Sequence, residues 1–142
     1  MDSLTRIVTE PARSALFFDI DGVLAPIVER PEDARVPVET QKLLASLRDR
    51  YGLVACVTGR PSDVAREIVG VEVLTYVGEH GLELEPEARE WASRIHGFAA
   101  EVAWEDMETK PLSVAFHYRS APDPDAAREQ LESVAAAALD LG

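Results

Sequence analysis

The sequence predicts an α/β fold built on a parallel sheet, and three observations carry that reading. Two short, continuously apolar runs, 15–18 and 53–57, have the length and composition of strands covered on both faces. Each is followed, after a loop, by a segment whose apolar residues recur at helical spacing. A third apolar stretch, 71–77, completes the alternation strand–helix–strand–helix–strand. Such an alternation implies right-handed crossovers between parallel strands.

Size and charge bound the function. The 142 residues suit one domain, and an apolar fraction of 46% is enough for a core. The formal net charge of −12 repels nucleic acid phosphates and anionic lipid, so both are discounted as partners. It would repel a phosphorylated substrate as well, so a phosphate site needs local positive charge or a metal. Lys42 and Lys110 are the only lysines, which leaves arginine as the main cation. Cys56, the single cysteine, lies in an apolar run and reads as a buried thiol. The sequence shows no basic segment followed by an apolar stretch at its start, and no run of membrane-span length. A cytoplasmic protein without a membrane partner is expected.

Residues 1–14 are polar and mixed, a loose lead-in or a short helix. The first strand, 15–18, opens into a long loop, 25–37, that carries Pro26, Pro31 and Pro37. Loops of that length in compact domains usually serve a site. Pro37 suits the first turn of a helix to about Arg50, with Leu43, Leu44, Leu47 and Tyr51 inward and Gly52 ending it. The second strand stops at Thr58-Gly59-Arg60. Pro61 opens the next helix, with Val64, Ala65 and Ile68 inward, and Gly70 closes it. After the third strand, 78–81 reads as a turn and 82–84 as a short returning strand.

The character changes after Glu85, which suggests a core region over 1–85 and a second region over 86–142. Residues 86–104 fit one amphipathic helix, with Trp91, Ile95, Phe98 and Val102 on a stripe. Residues 105–108 and 113–118 form a predicted β-hairpin around Thr109-Lys110-Pro111. Asp123 and Pro124 make an N-cap and first helical position for a last helix to about Leu141, and Gly142 sits where such a helix would end.

The chemistry centres on Leu16-Phe17-Phe18-Asp19-Ile20-Asp21-Gly22, a strand that runs into two carboxylates. Ligands in open α/β sheets bind beyond the carboxyl ends of strands. Carboxylates two residues apart leave an extended chain on the same side, and their repulsion is relieved by a divalent cation or a shared proton. Asp-Gly is also an ordinary turn pair. A calcium loop fails, because Val23 occupies the fifth position and no helix–loop–helix frames it. In a phosphoryl-transfer site Asp19 would attack phosphorus, Asp21 would shuttle the proton, and magnesium would neutralise charge. Thr58 and Gly59 end the second strand beside a helix start, an arrangement suited to an anion. Thr58 also suits an N-cap.

These residues resemble the haloacid dehalogenase superfamily of phosphotransferases. Phe17-Phe18-Asp19-Ile20-Asp21-Gly22 is similar to its first motif and Val57-Thr58-Gly59-Arg60-Pro61 to its second. Four stretches in order narrow the likeness to trehalose-6-phosphate phosphatases: Asp21-Gly22-Val23-Leu24-Ala25-Pro26-Ile27, Arg30-Pro31-Glu32-Asp33-Ala34, Val77-Gly78-Glu79-His80-Gly81-Leu82-Glu83 and Lys110-Pro111-Leu112-Ser113-Val114-Ala115-Phe116-His117-Tyr118-Arg119. The resemblance spans about residues 14–125. It implies a Rossmann-like core followed by the start of an α+β cap domain. It also implies Mg2+ as cofactor and a phosphorylated sugar, trehalose 6-phosphate, as substrate. By the same resemblance Asp19 is nucleophile and metal ligand, and Asp21 is general acid/base with its carbonyl on the metal. Thr58 and Gly59 bind phosphate. Arg60, Glu79 and His80 lie near the sugar, and Glu108, Lys110, His117 and Arg119 belong to the cap. For His117 a solvated strand-face histidine is the alternative, and for Arg119 a structural salt bridge.

The sequence departs from the family pattern at Val23, where threonine is usual, and at Glu79, where asparagine is usual. The family's third-motif lysine and fourth-motif acidic cluster have no counterpart, so the chain resembles the N-terminal half of such a phosphatase. Low activity of the 142 residues alone is therefore expected. Uncovered apolar faces would favour self-association or a complementing chain. The alternatives are a non-catalytic sugar-phosphate- or partner-binding remnant, and a phosphatase for another sugar phosphate.

Overall fold

A computed structural model describes residues 3–140, which divide into two compact units on either side of the Leu84–Glu85 junction. The first unit opens with helix α1 (Ser3–Thr9) and a 3₁₀ turn, Pro11–Arg13. Its sheet has the order β1 (Ala15–Phe18), β2 (Leu53–Val57), β3 (Thr75–Val77), all parallel. Helices α2 (Val38–Arg50) and α3 (Ser62–Val69) make the crossovers. This is the α/β architecture expected from the sequence.

The core gathers Ile20, Leu44, Val54, Cys56, Ile68 and Val69, all nearly inaccessible to water. Each large aliphatic side chain buried this way contributes about 1.5–3 kcal/mol. Burial also pushes the Cys56 thiol up to about 11, which makes it unreactive at neutral pH. Gly70 ends α3 in the left-handed region (φ +69°), and its N–H returns to Arg66 O at 2.8 Å.

Several expectations are corrected. Phe17 is 64% exposed, so β1 is covered on one face rather than two. Leu43 and Val64 point outward, while Leu44 of α2 and Ala65, Ile68 and Val69 of α3 face the core. The third strand is shorter than its apolar run, because Leu74 N–H turns back to Val71 O and Tyr76 Oη donates to the same carbonyl at 2.7 Å. Residues 82–84 are not a strand. They belong to a 3₁₀ segment, Glu79–Leu84, that Glu83 folds back against the first helical turn of α3.

In the second unit, α4 (Ala88–Glu101) precedes an antiparallel hairpin of β4 (Met107–Thr109) and β5 (Val114–Phe116), with Glu108 opposite Ala115. The fully buried residues of α4 are Ala88, Ala92 and Ala99, whereas Trp91, Ile95 and Phe98 are only partly covered. The last helix, α5 (Pro124–Leu139), starts as expected: Asp123 Oδ1 accepts from Ala126 N–H at 3.1 Å. Residues 1–2, Leu141 and Gly142, on which the ends of the predicted lead-in and last helix fall, lie outside the described residues. An open apolar cavity of about 490 Å³ separates α4, β5 and α5, lined by Ile95, Phe98, Val114, Phe116 and Leu131. No helix among the described residues is long and apolar enough to cross a membrane.

Candidate active site

The site of the first unit grows from the ends of β1 and β2. Phe18 pairs with Cys56, so the two strands finish side by side. Ile20 is fully buried, and its carbonyl accepts from the N–H groups of Leu24 (3.0 Å) and Ala25 (2.8 Å), which closes a tight turn. Asp19 and Asp21 flank that anchor and both stay exposed. Asp19 Oδ1 accepts from Ile20 N–H at 2.8 Å.

Thr58 is buried at the end of β2. Its N–H donates to Val77 O (3.1 Å), its carbonyl accepts from His80 N–H (2.9 Å), and its Oγ1 accepts from Arg60 N–H (3.2 Å). A hydroxyl that accepts there keeps its own proton to donate to an anion. Thr58 is not the N-cap of α3; that position is Pro61. The carboxylate that serves the helix start is Glu83, whose Oε1 accepts from Ser62 N–H at 2.8 Å and Oε2 from Gly78 N–H at 3.0 Å. Nothing in the local sequence singled out Glu83, because its partners are brought to it by the turn.

That turn is strained. Glu79 (φ +47°) and His80 (φ +58°) are consecutive non-glycine residues in the left-handed region. Such conformations cost about 1–3 kcal/mol each and persist where neighbours over-determine them. Here Glu79 N–H is held by Arg60 O (2.9 Å) and His80 N–H by Thr58 O. The turn lays the His80 ring against Gly59, where a Cβ would come within 2.5 Å of Nε2. Glu79 itself is fully buried, out of reach of a ligand arriving from solvent in this structure.

Arg60 reaches across to β1. Its Nε donates to Asp21 Oδ2 and its Nη2 to Asp21 Oδ1, both at 2.8 Å, and Nη1 donates to Pro31 O at 3.0 Å. These hydrogen bonds hold the Asp21 carboxyl below the usual carboxylate range; partial desolvation opposes them and the guanidinium charge reinforces them. The folded-state value is therefore lower than the unfolded one, about 3.9. The pair's contribution to stability is complete above that unfolded value and is lost as pH falls through the folded one. Thermal melts of the wild type and of Asp21→Asn should show a stability gap that narrows on acidification below about pH 4. A gap independent of pH would contradict the pairing.

Among the described residues no group of three or more His, Cys, Asp or Glu side chains is arranged to hold a metal. Asp19 and Asp21 nevertheless offer two hard oxygen donors. A magnesium ion is commonly held by one or two carboxylates, with water and phosphate completing its shell, so the donor chemistry fits Mg2+.

The second unit brings three of its four expected residues together. Glu108 Oε2 lies 3.7 Å from Lys110 Nζ and 3.5 Å from His117 Nε2. Lys110 is steadied by its N–H to Ser113 O (2.9 Å) and by its carbonyl, which contacts His96 Nε2 at 2.9 Å. His117 follows β5 rather than lying on it, and its carbonyl accepts from Trp104 Nε1 at 2.9 Å. Arg119 is exposed and makes no ion pair among the described residues, so the salt-bridge alternative is not realised.

The trehalose-phosphatase family model matches residues 17–110, a stretch that includes both acids, Thr58, the strained turn and Lys110. The chain belongs to the trehalose-phosphatase family. Within the family it is 34% identical over 143 residues to a probable trehalose-phosphate phosphatase of Sinorhizobium fredii, covering 92% of this chain and 54% of that protein. It is 32% identical over 144 residues to a trehalose-phosphate phosphatase of Mycobacterium avium, covering 90% of this chain and 35% of that one. This trehalose-phosphatase family chain thus spans about half the length of the first relative and about a third of the second. Its fold is shared with the C-terminal domain of the C. albicans trehalose-6-phosphate phosphatase: TM-score 0.62, 23% identity, 92% of this chain and 51% of that one covered.

Proposed function

We propose that the chain carries phosphoryl-transfer machinery for a magnesium-dependent trehalose-6-phosphate phosphatase that yields trehalose and phosphate. The observation that carries the reading is the pair of exposed carboxylates, Asp19 and Asp21, beside a buried threonine hydroxyl at the end of the neighbouring parallel strand. A carboxylate oxygen of Asp19 attacks phosphorus and forms an acyl phosphate as the bond to the sugar oxygen breaks. Asp21, held ionised by its two hydrogen bonds from Arg60, leaves that pair and takes up a proton when substrate enters, and gives it to the departing oxygen. It then takes one from the water that attacks the acyl phosphate, which restores Asp19 and frees inorganic phosphate. Thr58 and the Gly59 backbone hold the phosphoryl oxygens. Magnesium, when bound by Asp19 and Asp21, offsets the negative charge that carboxylates and phosphate bring together.

In the second unit, the Glu108–Lys110–His117 cluster and the exposed Arg119 supply donors and acceptors suited to sugar hydroxyl groups. Glu79 supports the turn that presents His80. The buried, unpaired Cys56 accords with a cytoplasmic protein. The test is phosphate release from a panel of sugar phosphates by the chain completed to the length of its relatives, with and without magnesium. Preference for trehalose 6-phosphate is expected. Equal rates across the panel would point to a broader sugar-phosphate phosphatase, and binding without any turnover to a non-catalytic module.

A further inference from the structure

Arg60 is better explained by what it holds than by contact with a sugar. Nε, Nη1 and Nη2 of the guanidinium each donate to the protein: two to the Asp21 carboxylate and one to Pro31 O. The side chain is 17% exposed, whereas Asp21 is 41% exposed, so the cation is the more enclosed partner. A planar guanidinium matches a carboxylate at two points, which fixes direction as well as distance. The backbone of Arg60 is tied at the same time, its N–H to Thr58 Oγ1 and its carbonyl to Glu79 N–H. One residue therefore joins the β1 turn, the Pro31 turn, the end of β2 and the strained 79–80 turn.

We infer that Arg60 is a positioning residue that fixes the Asp21 carboxylate and the Pro31 turn, and that its charge competes with a divalent cation for the paired acids. The inference rests on the phosphatase reading only in treating Asp21 as a working carboxylate. Without Arg60, the Asp21 carboxylate would lose the guanidinium that now offsets its charge, and the pull of the two acids on a cation would rise.

Calorimetric titration of the full chain with Mg2+, in the absence of any sugar phosphate, tests this. Arg60→Gln removes the charge and should bind Mg2+ about tenfold more tightly than the wild type. Amide hydrogen exchange over residues 22–34 should quicken in the same variant, because the tie to Pro31 is gone. Arg60→Lys keeps the charge but loses the two-point fork. It should bind Mg2+ within about twofold of the wild type and still show faster exchange over 22–34. A purely structural role would alter exchange without tightening cation binding. Unchanged or weaker Mg2+ binding by folded Arg60→Gln, or no detectable binding by any variant, would overturn the inference. Should Arg60→Gln fail to fold, Arg60→Lys decides alone, and unchanged exchange would then overturn it. A failure of the phosphatase reading would appear separately, as absent phosphate release in the substrate panel.

Discussion

In the chain completed to the length of its relatives, Asp19→Asn is expected to lower phosphate release from trehalose 6-phosphate by at least about a thousandfold while leaving the fold intact. An amide is isosteric with the carboxylate but is a poor nucleophile. The structural role of the side chain is small: its Oδ1 accepts a single local hydrogen bond from Ile20 N–H, which an asparagine carbonyl can also accept. The residue is exposed, so the change in stability should stay within about 0.5 kcal/mol. Thr58→Val, by contrast, removes one donor to the phosphoryl group and should cost about a hundredfold. Steady-state phosphate release, alongside thermal melts of each variant, checks both. An Asp19→Asn protein that is folded and retains more than a tenth of the wild-type rate would exclude Asp19 as nucleophile.

Gly78→Ala should strongly destabilise the first unit. A Cβ there would lie 2.4 Å from Ser62 N, 2.5 Å from Glu83 Oε1 and 2.7 Å from Arg60 O. Two of these neighbours are backbone atoms, and they cannot retreat freely. Glu79 N–H is bonded to Arg60 O, and the Glu83 carboxylate bridges Ser62 and Gly78. Relief would require breaking the contacts that hold the Thr58–Gly59 loop. A loss of about 3 kcal/mol is expected, seen as a fall in Tm of more than about 10 °C, because about 4–8 °C accompanies each kcal/mol in a domain of this size. Gly97→Ala is the control. Its Cβ would meet nothing within 4 Å in the middle of α4, so about 0.5–1 kcal/mol of added stability is expected. Equal melting temperatures for Gly78→Ala and the wild type would show that the turn is looser than the geometry implies.

The fold and site were legible to different depths. Strands β1 and β2 were readable because short apolar runs end abruptly at polar residues, and α3 and α5 because Pro61, Gly70 and the Asp123-Pro124 pair punctuate them. The 82–84 segment misled, since Leu82 and Leu84 alternate like a strand yet both are exposed. What shapes that segment is the Glu83 carboxylate seeking free N–H groups at Ser62 and Gly78, a tertiary demand without a local signature. Size misled in α4, where alanines rather than Trp91 or Phe98 are fully buried. In the site, the Asp19–Asp21 spacing and the Glu108–Lys110 spacing were visible along single strands and turns. The Arg60–Asp21 pair joins residues 39 apart in sequence, and only the side-by-side ends of β1 and β2 reveal it.

The most direct test of the central claim is to locate a transferred phosphoryl group. The chain, completed to the length of its relatives, is mixed briefly with trehalose 6-phosphate labelled on phosphorus, quenched in acid and digested for peptide mapping. The predicted result is a label on the peptide that contains Asp19, stable in acid, released by hydroxylamine as an acyl phosphate should be, and absent from Asp19→Asn. Phosphate release with no label at Asp19, or a label that survives in Asp19→Asn, would contradict it.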